Sequence, residues 1–387
     1  MFKIQTLNNI SSIGLEKLPA SNYAVADDQA SPDGIILRSF KMHDMDIPES
    51  LLAVARAGAG VNNIPTEKLA GMGIPVFNAP GANANAVKEL VISSLLIASR
   101  NLYHAIKYTE ELTGKDDELS KSVEAGKKKY AGSELPGKTI GIVGLGAIGR
   151  MVANVCLDLG MNVIGFDPAL TVDGAWQLSS KVKRIDSVDK MLPQVDFLSV
   201  HVPLIDATRD MINADNVGLL KDSATILNMA RGGIINDAAV CAALDEGKLH
   251  GYVTDFPNNR TKECAKVVNL PHLGASTAEA EDNCAVMVAE QLMDYLENGN
   301  IVNSVNFPNA SLSRGTEHRL TVANANVPNM VGQISTTMAE AGLNIQEMIN
   351  QSRGEIAYTI VDVDSEIPDS VLKKITAIEG VMMARVV

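Results

Sequence analysis

Residues 139–168 read TIGIVGLGAIGRMVANVCLDLGMNVIGFDP. An apolar run, Ile140–Val143, enters Gly144-x-Gly146-x-x-Gly149. A stretch with helical spacing follows, and a second apolar run, Met161–Phe166, ends at Asp167. Three glycines alone would serve any tight turn; the complete order of strand, turn, helix, strand and acid is the fingerprint of a dinucleotide site. Gly144 permits the turn, Gly146 lets the backbone approach a pyrophosphate, and Gly149 lets helix and strand pack closely. The amides of Ala147 and Ile148 open the helix and offer donors to the anion. Asp167, about 20 residues beyond the glycines, is placed to accept from the adenosine ribose and to repel a 2′-phosphate. No Arg follows it closely, so NAD rather than NADP is the expected cofactor.

Outward from this unit the same alternation continues. Strands are expected at Ile140–Val143, Met161–Phe166, Phe197–His201, Thr225–Asn228, Tyr252–Asp255 and Val267–Leu270, which makes a doubly wound domain. Before it, short runs at Gly34–Leu37, Leu52–Ala55 and Pro75–Phe77 suggest a second parallel α/β layer. Val87–Leu102 is apolar on nearly every side, as a helix buried between domains or subunits would be, which points to a homodimer or homotetramer. The Lys-rich stretch 121–138 reads as a connector ending in a Pro-Gly turn. After a helix over Glu279–Leu296 and a polar linker, the last part predicts strand Arg319–Ala323, helix Met330–Ala341, strands Ile345–Gln351 and Ile356–Val363, helix Asp369–Ile378 and strand Val381–Val387. That order is βαββαβ, a small ferredoxin-like unit. The expected division is 1–90 with 276–303, then 91–275, a linker at 304–315, and 316–387.

Composition limits the function. With 33 basic and 46 acidic residues, net −13, the 387-residue chain would repel a phosphate backbone, so nucleic acid is set aside as a partner. Cys156, Cys241, Cys264 and Cys284 show neither metal-site spacing nor disulfide density, which suits reduced thiols, no metal and the cytoplasm. The first residues, MFKIQTLNNI, lack a signal-peptide core, and no run is long enough to span a bilayer.

Four further strings, DFLSVHVPL followed by Thr208, TILNMARGGIIND, GYVTDFPNN and NLPHLGAST, each stand at the carboxyl end of an expected strand, where open α/β sheets bind ligands. Together they resemble the D-isomer-specific 2-hydroxyacid dehydrogenase family, and the whole chain resembles members of it that carry a C-terminal ACT domain. The resemblance implies two Rossmann-like domains, one for substrate and one for NAD, followed by the ACT unit. It also implies that Arg231, between Ala230 and Gly232, holds the substrate carboxylate and carbonyl oxygen, and that His272 is the acid/base. Both residue types suit these roles, since a guanidinium grips a carboxylate through two parallel bonds and an imidazole titrates near neutrality. Val87, His201, Pro203, Thr208, Met229, Ala230, Asp255 and Gly274 are implied to face the cofactor.

In the first domain GIILRSFKMHD and ARAGAGVNNI resemble the family's substrate loops. The amides of Ala59, Gly60 and Val61 are suited to form a carboxylate nest, and Asn83 is implied to face the same cleft. Arg38, Lys41 and Arg56 nearby suit a phosphorylated three-carbon acid. The expected reaction is therefore oxidation of 3-phospho-D-glycerate to 3-phosphohydroxypyruvate, on the way to serine. Another D-2-hydroxy acid as substrate, or a non-catalytic sensor of NADH and an amino acid, are the alternatives. In the ACT unit Asn324, Asn326 and Asn344 are implied to bind serine as an effector, although Asn329 replaces the family's Gly in the turn between them.

One departure bears on the chemistry. A Glu normally follows the Asp of the DFPNE-type string and pairs with the catalytic His, whereas Asp255 is followed by Phe256, Pro257, Asn258, Asn259 and Arg260. A carboxylate beside an imidazole favours its protonated form, so the loss is expected to move the pH optimum downward. Glu263 is the nearest acid after it in sequence and stands as the candidate replacement.

Overall fold

The computed structural model describes all residues, 1–387. Met1–Asn83 with Thr277–Val387 form one compact unit, and Ala84–Ser276 form the other.

In the first unit, β1 (Phe2–Leu7), β2 (Tyr23–Ala26), β3 (Gly34–Leu37), β4 (Ala53–Arg56) and β5 (Val76–Phe77) make a parallel sheet in the order β2-β1-β3-β4-β5. The helix Ala278–Asn298 packs across β3, β4 and β5, burying Val288, Ala289 and Leu292. The strand β1 carries mixed polar residues, Lys3, Gln5 and Thr6, and β2 is an apolar run of only four residues, Tyr23–Ala26, so neither stands out in the sequence. The sheet nevertheless orders them because β1 pairs on both sides.

The central unit holds β6 (Thr139–Val143), β7 (Asn162–Phe166), β8 (Lys183–Arg184), β9 (Phe197–Val200), β10 (Thr225–Asn228), β11 (Gly251–Thr254) and β12 (Val267–Asn269). Their order is β12-β11-β10-β9-β6-β7-β8, all parallel. β9 and β10 are buried along their full length, as continuous apolar strands covered on both faces should be. The helix expected at Val87–Leu102 runs Ala84–Ser99 and belongs entirely to this unit, so a boundary at residue 90 would cut it. It is not apolar all round: Val87, Val91 and Leu95 face β10, β11 and the helix Ala147–Asp158, while Asn85, Glu89, Ser93 and Leu96 form an exposed stripe. The stretch 121–138, read as a connector, begins inside the helix Asp116–Gly126.

The remaining residues of the first unit form an antiparallel sheet of β13 (His318–Ala325), β14 (Ile345–Arg353), β15 (Ile356–Val363) and β16 (Val381–Val386), ordered β14-β15-β13-β16. Helices Met330–Glu340 and Asp369–Thr376 complete βαββαβ. These helices cover one face through Ile334, Met338, Val371 and Ile375, and from the other face Ala323, Tyr358 and Ile360 join the core around Phe77, Tyr295 and Phe307. The segment expected as a linker, 304–315, is part of that packing. Phe307 and Ala310 are buried, and Asn306 donates to the carbonyls of Thr66 and Ile74.

A helix end leaves its last carbonyls without intrahelical partners. For Ala278–Asn298 the ferredoxin-like sheet and its approach supply them. Arg385 donates to the carbonyls of Tyr295 and Leu296, Arg314 to Glu297, Arg319 to Asn298 and the Tyr358 hydroxyl to Gly299. The cations also complement the negative end of the helix dipole. Arg319 has no solvent exposure and pairs bidentately with equally buried Asp362, Nε to Oδ1 at 2.6 Å and Nη2 to Oδ2 at 2.8 Å. Removing one member leaves a buried charge alone, so Arg319→Ala should cost about 3–5 kcal/mol in urea unfolding of the full chain. A loss under about 1 kcal/mol, typical of surface pairs, would contradict this.

Candidate active site

In the central sheet the chain turns back between β6 and β9, so the loops leaving these two strands part in opposite directions and open a crevice at their carboxyl ends. Gly144, at φ +89°, ends β6; a Cβ there would stand 2.6 Å from the carbonyl oxygen of His201, at the end of β9. A Cβ on Gly149 would collide with the Gly144 carbonyl, whereas one on Gly146 would meet nothing, so the backbone at Gly146 is open to a ligand. No side chain caps the helix Ala147–Asp158 and its first turn carries no acid, which leaves its leading amides, Ala147 and Ile148 among them, for an anion. Asp167 follows β7 and accepts from the Leu145 amide through Oδ2 at 2.8 Å and from the Ala169 amide through Oδ1 at 2.8 Å. The acid is thereby fixed beside the glycine turn.

The rim continues across β9, β10 and β11. Asn228, the last residue of β10, accepts from the Ala230 amide and donates to the Arg231 carbonyl, closing the loop through Met229 and Ala230. Arg231 leaves this loop exposed, with Nη1 donating to the Ala230 carbonyl at 2.7 Å. Asp255 follows β11 and is fully buried; Oδ2 accepts from the Gly274 amide at 3.3 Å while Oδ1 has no partner. Burial raises its carboxyl above the ordinary range, against the pull of His272, the Gly274 amide and Arg231. The His272 ring lies 4.7 Å from that of Phe256, centroid to centroid. A Cβ on Gly232 would stand 3.5 Å from that of Phe256, so the loop carrying Arg231 and the loop carrying His272 both lie against the turn at Asp255–Phe256. Val87 lies against Gly274, 3.4 Å from where its Cβ would be.

Other expected residues take quieter places. The buried Thr208 hydroxyl donates to the Pro203 carbonyl at 2.6 Å and accepts from the Ile205 amide, so it staples its own loop. The His201 ring sits 2.9 Å from the Ser199 hydroxyl through Nε2, and its buried Nδ1 has no partner. Glu263 ends the short helix Asn259–Glu263, exposed and without a hydrogen bond or ion pair. The structure therefore gives no contact joining it to His272; the acid tied to the His272 loop is Asp255, which accepts from the Gly274 amide.

In the first unit Arg38 and Arg56 stand at the carboxyl ends of β3 and β4. Arg56 Nε and Asn63 both donate to the Arg38 carbonyl, and Arg38 Nη1 pairs with Glu281 Oε1 at 2.6 Å. Sequence reading missed Glu281 because its partner is distant along the chain. The amides of Ala59, Gly60 and Val61 have no partner within the chain, and Asn78 donates to the Ala59 carbonyl at 2.6 Å. Lys41 is exposed and Asn83 half-buried, both without hydrogen bonds.

The three asparagines of the βαββαβ unit do not meet within one chain. Asn324 and Asn326 lie where β13 ends, Asn324 buried with Oδ1 unpartnered and Asn326 donating to the Gly354 carbonyl. Asn344 precedes β14 at the opposite end of the sheet, where its amide donates to Asp364. Asn329 has φ +65°, the left-handed conformation that its family's glycine would adopt freely.

A glycine cradle at the switch point, uncapped helix amides, a fixed acid after the second strand and unpartnered buried atoms on Asp255 and His201 fit a bound dinucleotide and define a nucleotide-dependent oxidoreductase. Residues 94–275 match the D-isomer specific 2-hydroxyacid dehydrogenase NAD binding domain family. Over 350 residues the chain is 33% identical to a D-3-phosphoglycerate dehydrogenase of Haemophilus influenzae, covering 87% of this chain and 81% of that one. It is 31% identical over 353 residues to the Escherichia coli D-3-phosphoglycerate dehydrogenase, covering 87% and 82%. A D-mandelate dehydrogenase structure from Rhodotorula graminis shares the fold at TM-score 0.66 and 22% identity, over 78% of this chain and 97% of its own. The chain belongs to the D-isomer-specific 2-hydroxyacid dehydrogenase family; it is an NAD-binding oxidoreductase with a C-terminal ferredoxin-like sheet of the ACT type. No helix is long and apolar enough to cross a membrane, and all four cysteines are buried and unpaired.

Burial lowers His201 from 6.5 to about 4. Between those values the unfolded chain takes up a proton that the folded ring refuses, so stability falls on acidification through that window, by on the order of 1–3 kcal/mol. His201→Leu should flatten this acid limb in urea titrations at pH 7 and pH 4.5; an unchanged slope would place the imidazole in water.

Proposed function

We propose that the chain oxidises 3-phospho-D-glycerate to 3-phosphohydroxypyruvate, the step that commits this carbon skeleton to serine. The observation that carries the reading is that the loops bearing Arg231 and His272 both lie against the turn at buried Asp255 and Phe256. NAD+ supplies the acceptor for the hydride leaving C2. His272 takes the proton of the C2 hydroxyl, and Arg231 holds the carboxylate and the oxygen that becomes the carbonyl. Asp255 lies within reach of the positive charge that forms on His272 and opposes its cost, a part that does not need Glu263. The free amides at Ala59, Gly60 and Val61 cradle the carboxylate, while Arg38, Lys41 and Arg56 receive the phosphate.

The relatives called D-3-phosphoglycerate dehydrogenase support the phosphorylated substrate, as does the cationic group at the ends of β3 and β4. Serine as an effector would require Asn344 of a second copy beside Asn324 and Asn326. Exposed Leu102, Ile106 and Val123 offer apolar surface for a homo-oligomer.

His272→Ala and Arg231→Ala should each lower kcat/KM at least roughly 100-fold, followed as NADH absorbance with 3-phosphoglycerate, D-glycerate and D-lactate. Near-wild-type turnover of either variant would refute its role. Tight NADH binding with no turnover of any of the acids would make the chain a nucleotide sensor. Because Glu281 occupies Arg38, Glu281→Gln should lower KM for 3-phosphoglycerate by up to about fivefold and leave that for D-lactate unchanged. An equal shift for both acids would remove Arg38 from the phosphate site.

A further inference from the structure

We propose a second ligand site in the first unit, for a small polar carboxylate, in the cleft where β14 ends beside the loop that follows β5. The cleft has a volume of about 510 Å³, within the range of small-molecule sites. Asn78, Asn303, Asn309, Gln351, Ser352 and Arg353 line it, and no acid does. That lining is unusual in a chain of net charge −13.

The guanidinium of Arg353 sets the ligand class. Its Nη1 donates to the Ser304 carbonyl at 3.2 Å, which holds the head group in place. Nε and Nη2 make no hydrogen bond, and Arg353 joins no ion pair. These two donors lie along one edge of the guanidinium, the geometry that takes a carboxylate through two parallel bonds. The side chains of Gln351, Ser352 and Asn303 are likewise without partners, and Asn309 keeps its Nδ2 free because only its Oδ1 is used, by the Asn303 amide. Neutral donors and acceptors around one anchored cation suit a carboxylate bearing hydroxyl or ammonium groups, of amino-acid or hydroxy-acid size. The site is separate from Asn344, which lies at the other end of the sheet.

Occupancy has a route to the substrate loop. Asn78 lines the cleft and donates to the Ala59 carbonyl, and the next amide, Ala79, donates to the Gly58 carbonyl at 3.0 Å. A ligand touching Asn78 therefore acts one hydrogen bond from the amide nest at Ala59–Val61. This part rests on the nest holding the substrate carboxylate, as proposed above; the binding itself does not.

The test is calorimetric titration of the full-length protein with L-serine, glycine and L-glutamate, in the wild type, Arg353→Gln, Ser352→Leu and Asn344→Ala. Saturable binding of at least one probe is expected, weakened tenfold or more by Arg353→Gln and by Ser352→Leu and unchanged in Asn344→Ala. Ser352→Leu crowds the cleft and leaves the guanidinium intact, so it reports on the site if Arg353→Gln disturbs the strand. Absence of binding by all three probes, binding that survives both cleft substitutions, or binding lost in Asn344→Ala would overturn the site. With binding established, the same probe should change KM for the hydroxy acid more than kcat. Binding without that change would leave the cleft standing and remove the substrate nest from Ala59–Val61.

Discussion

Parallel strands buried on both faces must all leave a sheet at the same edge, and in the central unit this constraint assembles the chemistry. Gly144, His201, Arg231 and Asp255 lie far apart in the chain, yet each is the first or third residue past the end of a strand, and the strands are neighbours in the order β11-β10-β9-β6. His272 arrives the same way, three residues after β12. Local devices then aim each group. Asn228 folds the loop before Arg231 back onto itself, and Gly274 donates to Asp255 from the loop that carries His272. The electrostatics follow from depth: Asp255 is buried, while Arg231 and His272 are exposed.

Much of this was legible in the sequence because it depends on short-range chemistry. The glycine spacing at 144–149 reports a turn that only small residues permit, and continuous apolar runs report strands hidden on both sides. The βαββαβ order was likewise carried by regular alternation, with each element found within a few residues of its expected place. What escaped were features decided by distant partners. β1, with Lys3, Gln5 and Thr6, is held by pairing on both sides more than by its own composition. The helix Ala84–Ser99 looked uniformly greasy, yet its exposed polar residues, Asn85, Glu89 and Ser93, share a face. The linker at 304–315 looked loose because Asn and Pro dominate it, whereas Asn306 and Phe307 bind it to the first sheet.

The candidate site divides along the same line. Residues within a motif, such as Arg231 and His272, could be named from their strings. Pairings across the fold could not: Glu281 on Arg38, the staple that Thr208 makes within its loop, and the separation of Asn344 from Asn324. The substitution at Asn259 was visible as a lost carboxylate, but only the fold shows that buried Asp255 is tied to the His272 loop through the Gly274 amide while Glu263 makes no hydrogen bond or ion pair.

The arginines gathered at the end of helix Ala278–Asn298 make the C-terminal module more than an appendage. A foreign module grafted after residue 300 would have to bring its own donors for the carbonyls of Leu296, Glu297, Asn298 and Gly299, or leave these four facing protein with nothing to bind. Helix and module are in this sense a single heritable part, and recombination between such enzymes should find its tolerated breakpoints upstream of Thr277 rather than at the apparent joint.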